Sequence, residues 1–176
     1  DATLETDPYG GYAATVGDIA YDVGFWRWTF IGASLPASRQ KYDTVELYAG
    51  ATWRWLNLKY WQEVSDYFGV NDLSAVPDYG VPACGSSRGS HYLEGNFSVE
   101  LGHGIGLALH AGRQEVRHYS ALAFSDYRVG LDGDLGQGWT LSIGYSETTA
   151  NPRAYVDSQG LDAARGKFVA AIHTSF

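Results

Sequence analysis

Residues 93–111 run Leu93-Glu94-Gly95-Asn96-Phe97-Ser98-Val99-Glu100-Leu101, then Gly102-His103-Gly104, then Ile105-Gly106-Leu107-Ala108-Leu109-His110-Ala111. Leu93, Phe97, Val99 and Leu101 share one parity with Gly95; Glu94, Asn96, Ser98 and Glu100 hold the other. The second run alternates the same way, with Ile105, Leu107, Leu109 and Ala111 opposite Gly106, Ala108 and His110. Period-2 alternation on both sides of a glycine-rich break specifies a β-hairpin, because successive side chains of a strand point to opposite faces. Gly102, Gly104 and Gly106 also resemble a dinucleotide-binding loop, but this segment joins two strands instead of opening a helix, so it reads as a turn.

The same alternation extends outward in both directions. It recurs at 19–25 (Ile19, Tyr21, Val23, Phe25), 45–53 (Val45, Leu47, Ala49, Ala51, Trp53), 127–132 and 139–145. It predicts about nine strands, near 3–16, 19–30, 43–54, 56–66, 90–101, 105–115, 122–133, 139–147 and 165–176. Short connections (Gly17-Asp18, Arg54-Trp55, Gly102–Gly104, Asp134–Gly138) alternate with long ones near 31–42, 67–89, 116–121 and 148–164. The fold class is therefore all-β, an antiparallel up-and-down meander with two unlike ends. Short turns at one end and long loops at the other are the plan of a transmembrane β-barrel of the bacterial outer membrane.

Composition narrows the classes further. The chain has 176 residues, a net charge of −8 and 15% aromatic residues. The length suggests one domain, 1–176, and the aromatic content excludes disorder. The acidic balance argues against nucleic acid as a partner. Cys84 is the single cysteine, which excludes an internal disulfide framework. The five histidines are scattered without ligand spacing, so neither a metal nor another cofactor is expected. No apolar run reaches the length of a membrane helix, and a mean hydropathy of −0.22 is what a lipid face and a water face give when averaged.

Three features favour the membrane reading over a soluble β-sandwich such as a carbohydrate-binding module. The polar parity combines small residues (Gly24, Gly50, Gly106, Gly130, Gly144) with charge. Aromatics gather at strand ends, Trp53, Trp55 and Trp139 at short turns and Trp26, Trp28 and Phe30 before a long loop, like two interfacial girdles. The chain also ends on Phe176, which together with Phe168, Ala170 and Ile172 resembles the assembly signal read by the barrel-assembly machinery. The candidate lumen-lining residues are Asp22, Glu46, Lys59, Glu63, Glu94, Glu100, His110, Asp126, Arg128, Asp132 and Lys167, with Glu5, Asp7 and Arg54 on the same parity. Excess carboxylate in a water-filled lumen attracts cations.

Several stretches carry a family likeness: Gly-Asp-Ile-Ala-Tyr-Asp-Val-Gly (17–24), Glu-Leu-Tyr-Ala-Gly (46–50), Leu-Lys-Tyr (58–60) followed by Ser-Asp-Tyr-Phe-Gly (65–69), Tyr-Leu-Glu-Gly-Asn (92–96) and Asp-Tyr-Arg-Val-Gly (126–130). Together they resemble the TorF-type porins of the proteobacterial outer membrane. The resemblance implies an outer-membrane β-barrel and a pore, with no cofactor and no catalytic residue. The chain departs from the family at Pro8, where an apolar strand residue is preferred, because a strand proline removes a ladder donor. The family also has strands preceding the equivalent of Asp1. Bacterial barrels have even strand numbers, so the expectation is a chain lacking three N-terminal strands of about twelve.

The expected activity is passive passage of small solutes or ions across the outer membrane of a Gram-negative bacterium, with membrane lipid and the assembly machinery as partners. The alternative is a barrel that binds a partner through its long loops, above all 67–89. Catalysis is not expected. Asp66, Ser90, His91, Glu115, His118 and Ser120 lie near the long-loop end, but no G-x-S-x-G elbow marks a nucleophile.

Overall fold

The computed structural model describes residues 4–155 and 164–174. One sheet of ten strands contains β1 (Leu4–Thr6), β2 (Tyr9–Val16), β3 (Ile19–Ile31), β4 (Thr44–Trp53), β5 (Leu56–Glu63), β6 (His91–Gly102), β7 (Ile105–Glu115), β8 (Phe124–Gly136), β9 (Trp139–Thr148) and β10 (Lys167–Thr174). Every pairing is antiparallel between consecutive strands, except that β1 and β2 both pair with β3. These two are a single strand broken at Asp7-Pro8. Proline offers no N–H to the ladder there, while its carbonyl still accepts from the Arg27 amide at 3.0 Å. Nine full strands thus stand where the alternation predicts them.

The sheet is open: the antiparallel meander does not close into a barrel. Among the described residues, neither the far edge of β1 and β2 nor that of β10 has a partner strand. In a nine-strand meander the first and last strands run in the same direction, so they cannot close with an antiparallel ladder. The expected assembly residue Phe176 lies outside the described residues.

Two of the short hairpins share one turn design. His103-Gly104 and Gln137-Gly138 all have positive φ, the type I′ geometry that matches strand twist. Each is preceded by a glycine at positive φ, Gly102 and Gly136, where the ladder slips by one residue. The connection expected at Asp134–Gly138 is therefore only Gln137-Gly138.

The apolar core lies outside the sheet. One cluster of buried apolar side chains, Tyr67, Val70, Ala75, Val81, Val116, Tyr119 and Leu122, comes from the loops 64–90 and 116–123. The strands' apolar face stays open, with Leu47 and Ile143 each 49% exposed. Short helical elements, not anticipated from sequence, shape the crown: α1 (Ala75–Tyr79) and single 3-10 turns at Tyr67–Gly69 and Ser120–Leu122. Buried serines stitch the crown together. Ser87 Oγ takes the Tyr67 amide at 2.9 Å, and Ser90 Oγ takes the Arg117 amide at 3.0 Å, tying one loop to the other. Burial pushes the phenols of Tyr67, Tyr79 and Tyr155 above the ordinary tyrosine range. The loop 32–43 is moored to α1 by Asp78, whose carboxylate accepts the amides of Ala37 (2.8 Å) and Ser38 (3.0 Å). Burial pushes the Asp78 carboxyl up, but the hydrogen bonds from Ser38 and from these amides outweigh it and hold it below its usual range.

Two outcomes follow. Leu122→Ala, at a side chain 1% exposed, lowers stability by about 2–5 kcal/mol in urea unfolding, whereas Leu73→Ala, 72% exposed in the same crown, changes it by under about 0.5 kcal/mol. A depressed carboxyl stabilises the fold above its unfolded pKa. Hydrogen-exchange protection at Ala37 and Ser38 therefore persists above about pH 4 and is lost as pH falls further. In Asp78→Asn the pH step disappears.

Candidate functional site

The register places polar-face residues in lateral rows that cross the sheet. One row reads Asp22, Gly50, Lys59, Glu94, Gly112, Asp126 from β3 to β8. The next row toward the crown reads Gly24, Tyr48, Trp61, Tyr92, Gln114, Phe124. Nearer the short turns lies Asn57, Asn96, His110, Arg128, Ser146, Lys167. An aromatic row, a charged row and a mixed amide and basic row thus lie one above another on the same face.

Contacts between strands two apart show that this face is concave. On a flat sheet such strands lie about 10 Å apart. Lys59 Nζ nevertheless reaches Asp22 Oδ2 at 3.1 Å across Gly50, and Tyr92 Oη donates to Asp126 at 3.0 Å across β7. Glycine on the middle strand leaves the space. A Cβ on Gly112 would sit 1.9 Å from the Tyr92 hydroxyl, and one on Gly24 would sit 2.7 Å from the Tyr48 hydroxyl.

Aromatic donors hold the carboxylates. Trp28 Nε1 donates to Glu46 Oε2 at 2.8 Å, and Trp61 Nε1 donates to Glu94 Oε1 at 2.9 Å. His110 bridges the charged row and the row below it, with Nδ1 2.7 Å from Asn96 Oδ1 and Nε2 2.7 Å from Asp126 Oδ1. Lys59 Nζ lies 4.5 Å from the Tyr48 ring centre and 5.2 Å from that of Trp61, an ammonium held by two rings and a carboxylate.

Asp22, Glu46, Lys59, Glu63, Glu94, Glu100, His110, Asp126, Arg128, Asp132 and Lys167 share one face of the sheet but do not form one lining. Asp22 pairs with Lys59, and His110 touches both Glu94 and Asp126. Arg128 and Lys167 border a cavity of about 650 Å³ together with His110, Asp126, Asp132, Glu147 and Arg165. Glu100 and Asp132 lie at the short-turn end with Gly106 between them. Glu63 lines no open space. It is 1% exposed, sealed beneath the crown, with Oε1 accepting from Gln114 Nε2 at 3.2 Å and Oε2 without a partner. Arg54, on the same parity in sequence, instead stacks its guanidinium over Trp53, 4.9 Å from the ring centre.

The girdle expected before the long loop is also corrected. Trp26 and Trp28 share the inner face with Glu46, because Trp26 is the cross-strand partner of Glu46 and Trp28 that of Thr44. Phe30 joins them, and Phe68 drops from the crown to within 6.4 Å of both Trp28 and Phe30. The outer face carries other rings: Trp53, Trp55 and Trp139 at the short turns, and Tyr60, Tyr127 and Phe168 farther along the strands. The inner aromatic row was missed because a ring on the polar parity reads from sequence as a break in alternation.

Four of the six rim residues weighed for catalysis, His91, Glu115, His118 and Ser120, line one cleft of about 390 Å³; Asp66 and Ser90 do not. Their partners are structural. His118 Nδ1 lies 2.9 Å from the Cys84 carbonyl, and Glu115 pairs with Arg113 at 2.6 Å. Asp66 organises its own loop, accepting the Arg88 amide and the Asn71 side-chain amide, each at 3.1 Å. No group of three His, Cys, Asp or Glu side chains among the described residues is arranged to hold a metal ion.

The glycine-spaced contacts make a direct prediction. Gly112→Ala displaces Tyr92 from Asp126 and destabilises by about 1–3 kcal/mol, the range for overpacking. Added to Tyr92→Ala it costs little more, so a double-mutant cycle on unfolding midpoints shows strong non-additivity.

No curated protein and no solved structure matches the chain. One family model does, over residues 1–176, described as a bacterial protein of unknown function (Gcw_chp). The chain belongs to the Gcw_chp family of bacterial proteins.

Proposed function

We propose that this sheet is the wall of an outer-membrane β-barrel through which small cationic solutes pass without chemical change. One observation carries the reading: among the described residues, no apolar side chain of any strand is buried, while the polar face is concave and hydrogen-bonded. A water-soluble sheet of this size buries its apolar parity against a second layer. Here Leu47, Leu93, Leu109, Val129 and Ile143 all face outward, and one ten-stranded sheet is the only sheet among the described residues. A bilayer is the medium that suits such a face. Rings at the short turns and farther along the strands suit the two interfaces. In lipid the two free edges demand partner strands, so the wall is part of a closed structure. The resemblance to TorF-type porins points the same way.

Charge decides the solute. Lys59 is matched by Asp22, leaving Glu46, Glu94, Glu100, Asp126 and Asp132 against Arg128 and Lys167 on the inner face. The field along the path favours cations.

Reconstituted into planar bilayers under a potassium chloride gradient, the chain gives unitary current steps with a cation-selective reversal potential. Glu94→Gln with Asp126→Asn moves that potential toward zero. Anion selectivity, or a chain that inserts without current, overturns the cation passage. A chain that stays in the aqueous phase beside floated liposomes overturns the membrane wall itself.

A further inference from the structure

Beneath the crown lies a cavity of about 350 Å³ lined by Trp28, Trp61, Tyr92 and Phe124 together with Glu46, Glu94, Asp126 and Gln114. We infer that this cavity is a binding site for a small organic cation, an alkylammonium head group. The inference deepens the proposed passage of cations and names where one is held.

The lining supplies both halves of ammonium recognition. Four aromatic side chains offer π faces or edges, and three carboxylates supply charge, with no lysine or arginine among the lining residues. Each carboxylate is already oriented by a donor: Trp28 holds Glu46, Trp61 holds Glu94 and Tyr92 holds Asp126. Carboxylates fixed this way are spread around the cavity, and they do not converge as a compact hard cation demands. A diffuse charge with an apolar skin suits them better.

Two further observations point to a ligand. The first is the neighbouring arrangement in which Tyr48, Trp61 and Asp22 hold the Lys59 ammonium. Trp61 belongs to both groups, so the same face demonstrably accommodates an ammonium by the chemistry proposed next door. The second is a pair of buried polar atoms flanking Glu46 on the same lateral row, Trp26 Nε1 and Glu63 Oε2, neither with a hydrogen-bond partner. Glu63 lies directly behind the lining, opposite Glu46 and against Gln114.

Tetramethylammonium is the probe, titrated into the detergent-solubilised full chain at constant ionic strength and followed by tryptophan fluorescence. The expected result is a saturable change that sodium and calcium do not produce. Glu94→Gln, which keeps shape, weakens binding about tenfold, as does Trp61→Leu. Trp61→Phe retains most of the affinity, which separates the loss of a ring from a failure to fold. Glu100→Gln, an inner-face carboxylate remote from the cavity, leaves binding unchanged. An equal response to sodium, or equal weakening by Glu94→Gln and Glu100→Gln, overturns the site in favour of a diffuse acidic field. Binding without bilayer current overturns only the passage; current without saturable binding overturns only the site.

Discussion

Glycine on the middle one of three strands is the constraint on which this structure depends. Two contacts between long polar side chains on strands two apart pass over a strand that contributes only a glycine there. Lys59 reaches Asp22 over Gly50, and Tyr92 reaches Asp126 beside Gly112. Each such contact draws its flanking strands toward each other on the polar side, so concavity and the polar network are one feature. The carboxylates then need donors to remain in a partly desolvated space, and the indole and phenol tips supply them. The aromatic row is thus a consequence of curvature as much as a source of binding surface.

The crown solves a different problem. An open meander has no second layer to pack on, so the molecule's compact apolar core is built from its loops. Val70, Val116 and Leu122 provide it, and buried hydroxyls of Thr44, Ser74, Ser87 and Ser90 satisfy the backbone groups that irregular chain leaves unpaired. Thr44 joins core and sheet. Its hydroxyl donates to the Asp66 carbonyl and accepts the Phe68 amide, at the first residue of β4. That contact holds Phe68 in a left-handed conformation, with φ of 41°, and turns its ring down toward Trp28 and Phe30. The crown is in this way positioned over the inner face, and the floor of the crown is the roof of the aromatic cavity.

Period-2 alternation made the strands and their faces legible, because each face meets one medium along its whole length. Pro8 likewise announced its break. Register was not legible, since nothing in one strand says which residue of the next lies beside it. Asp22, Lys59, Glu94 and Asp126 could be assigned to a face but not to a row. Glu63 fits the pattern as well as Glu94 does, yet it is sealed by a loop whose fold depends on long-range contacts such as Asp66 to Arg88. Trp26 and Trp28 misled because aromatic residues near strand ends suit an interface by composition, while parity alone puts them inside. Parity was the stronger signal, since a single residue cannot change face without a bulge.

The vertical order of the rows gives the inner face a direction. At the crown end, Trp26, Trp28, Phe30 and Phe68 form an aromatic roof with one accessible carboxylate, Glu46. The charged row follows, and below it the amide and basic row of Asn57, Asn96, His110 and Arg128. Beyond lies a stretch of small residues, Ser98, Ala108, Gly130 and Gly144, before Glu100 and Asp132 at the short turns. A cation entering from the crown end would meet aromatic faces before full charges, and so could shed water gradually against surfaces that attract it without binding tightly. His110 sits where the carboxylates give way to Arg128, in contact with Asp126 on one side and Asn96 on the other. His110 is thus the side chain that ties the charged row to the amide and basic row below it.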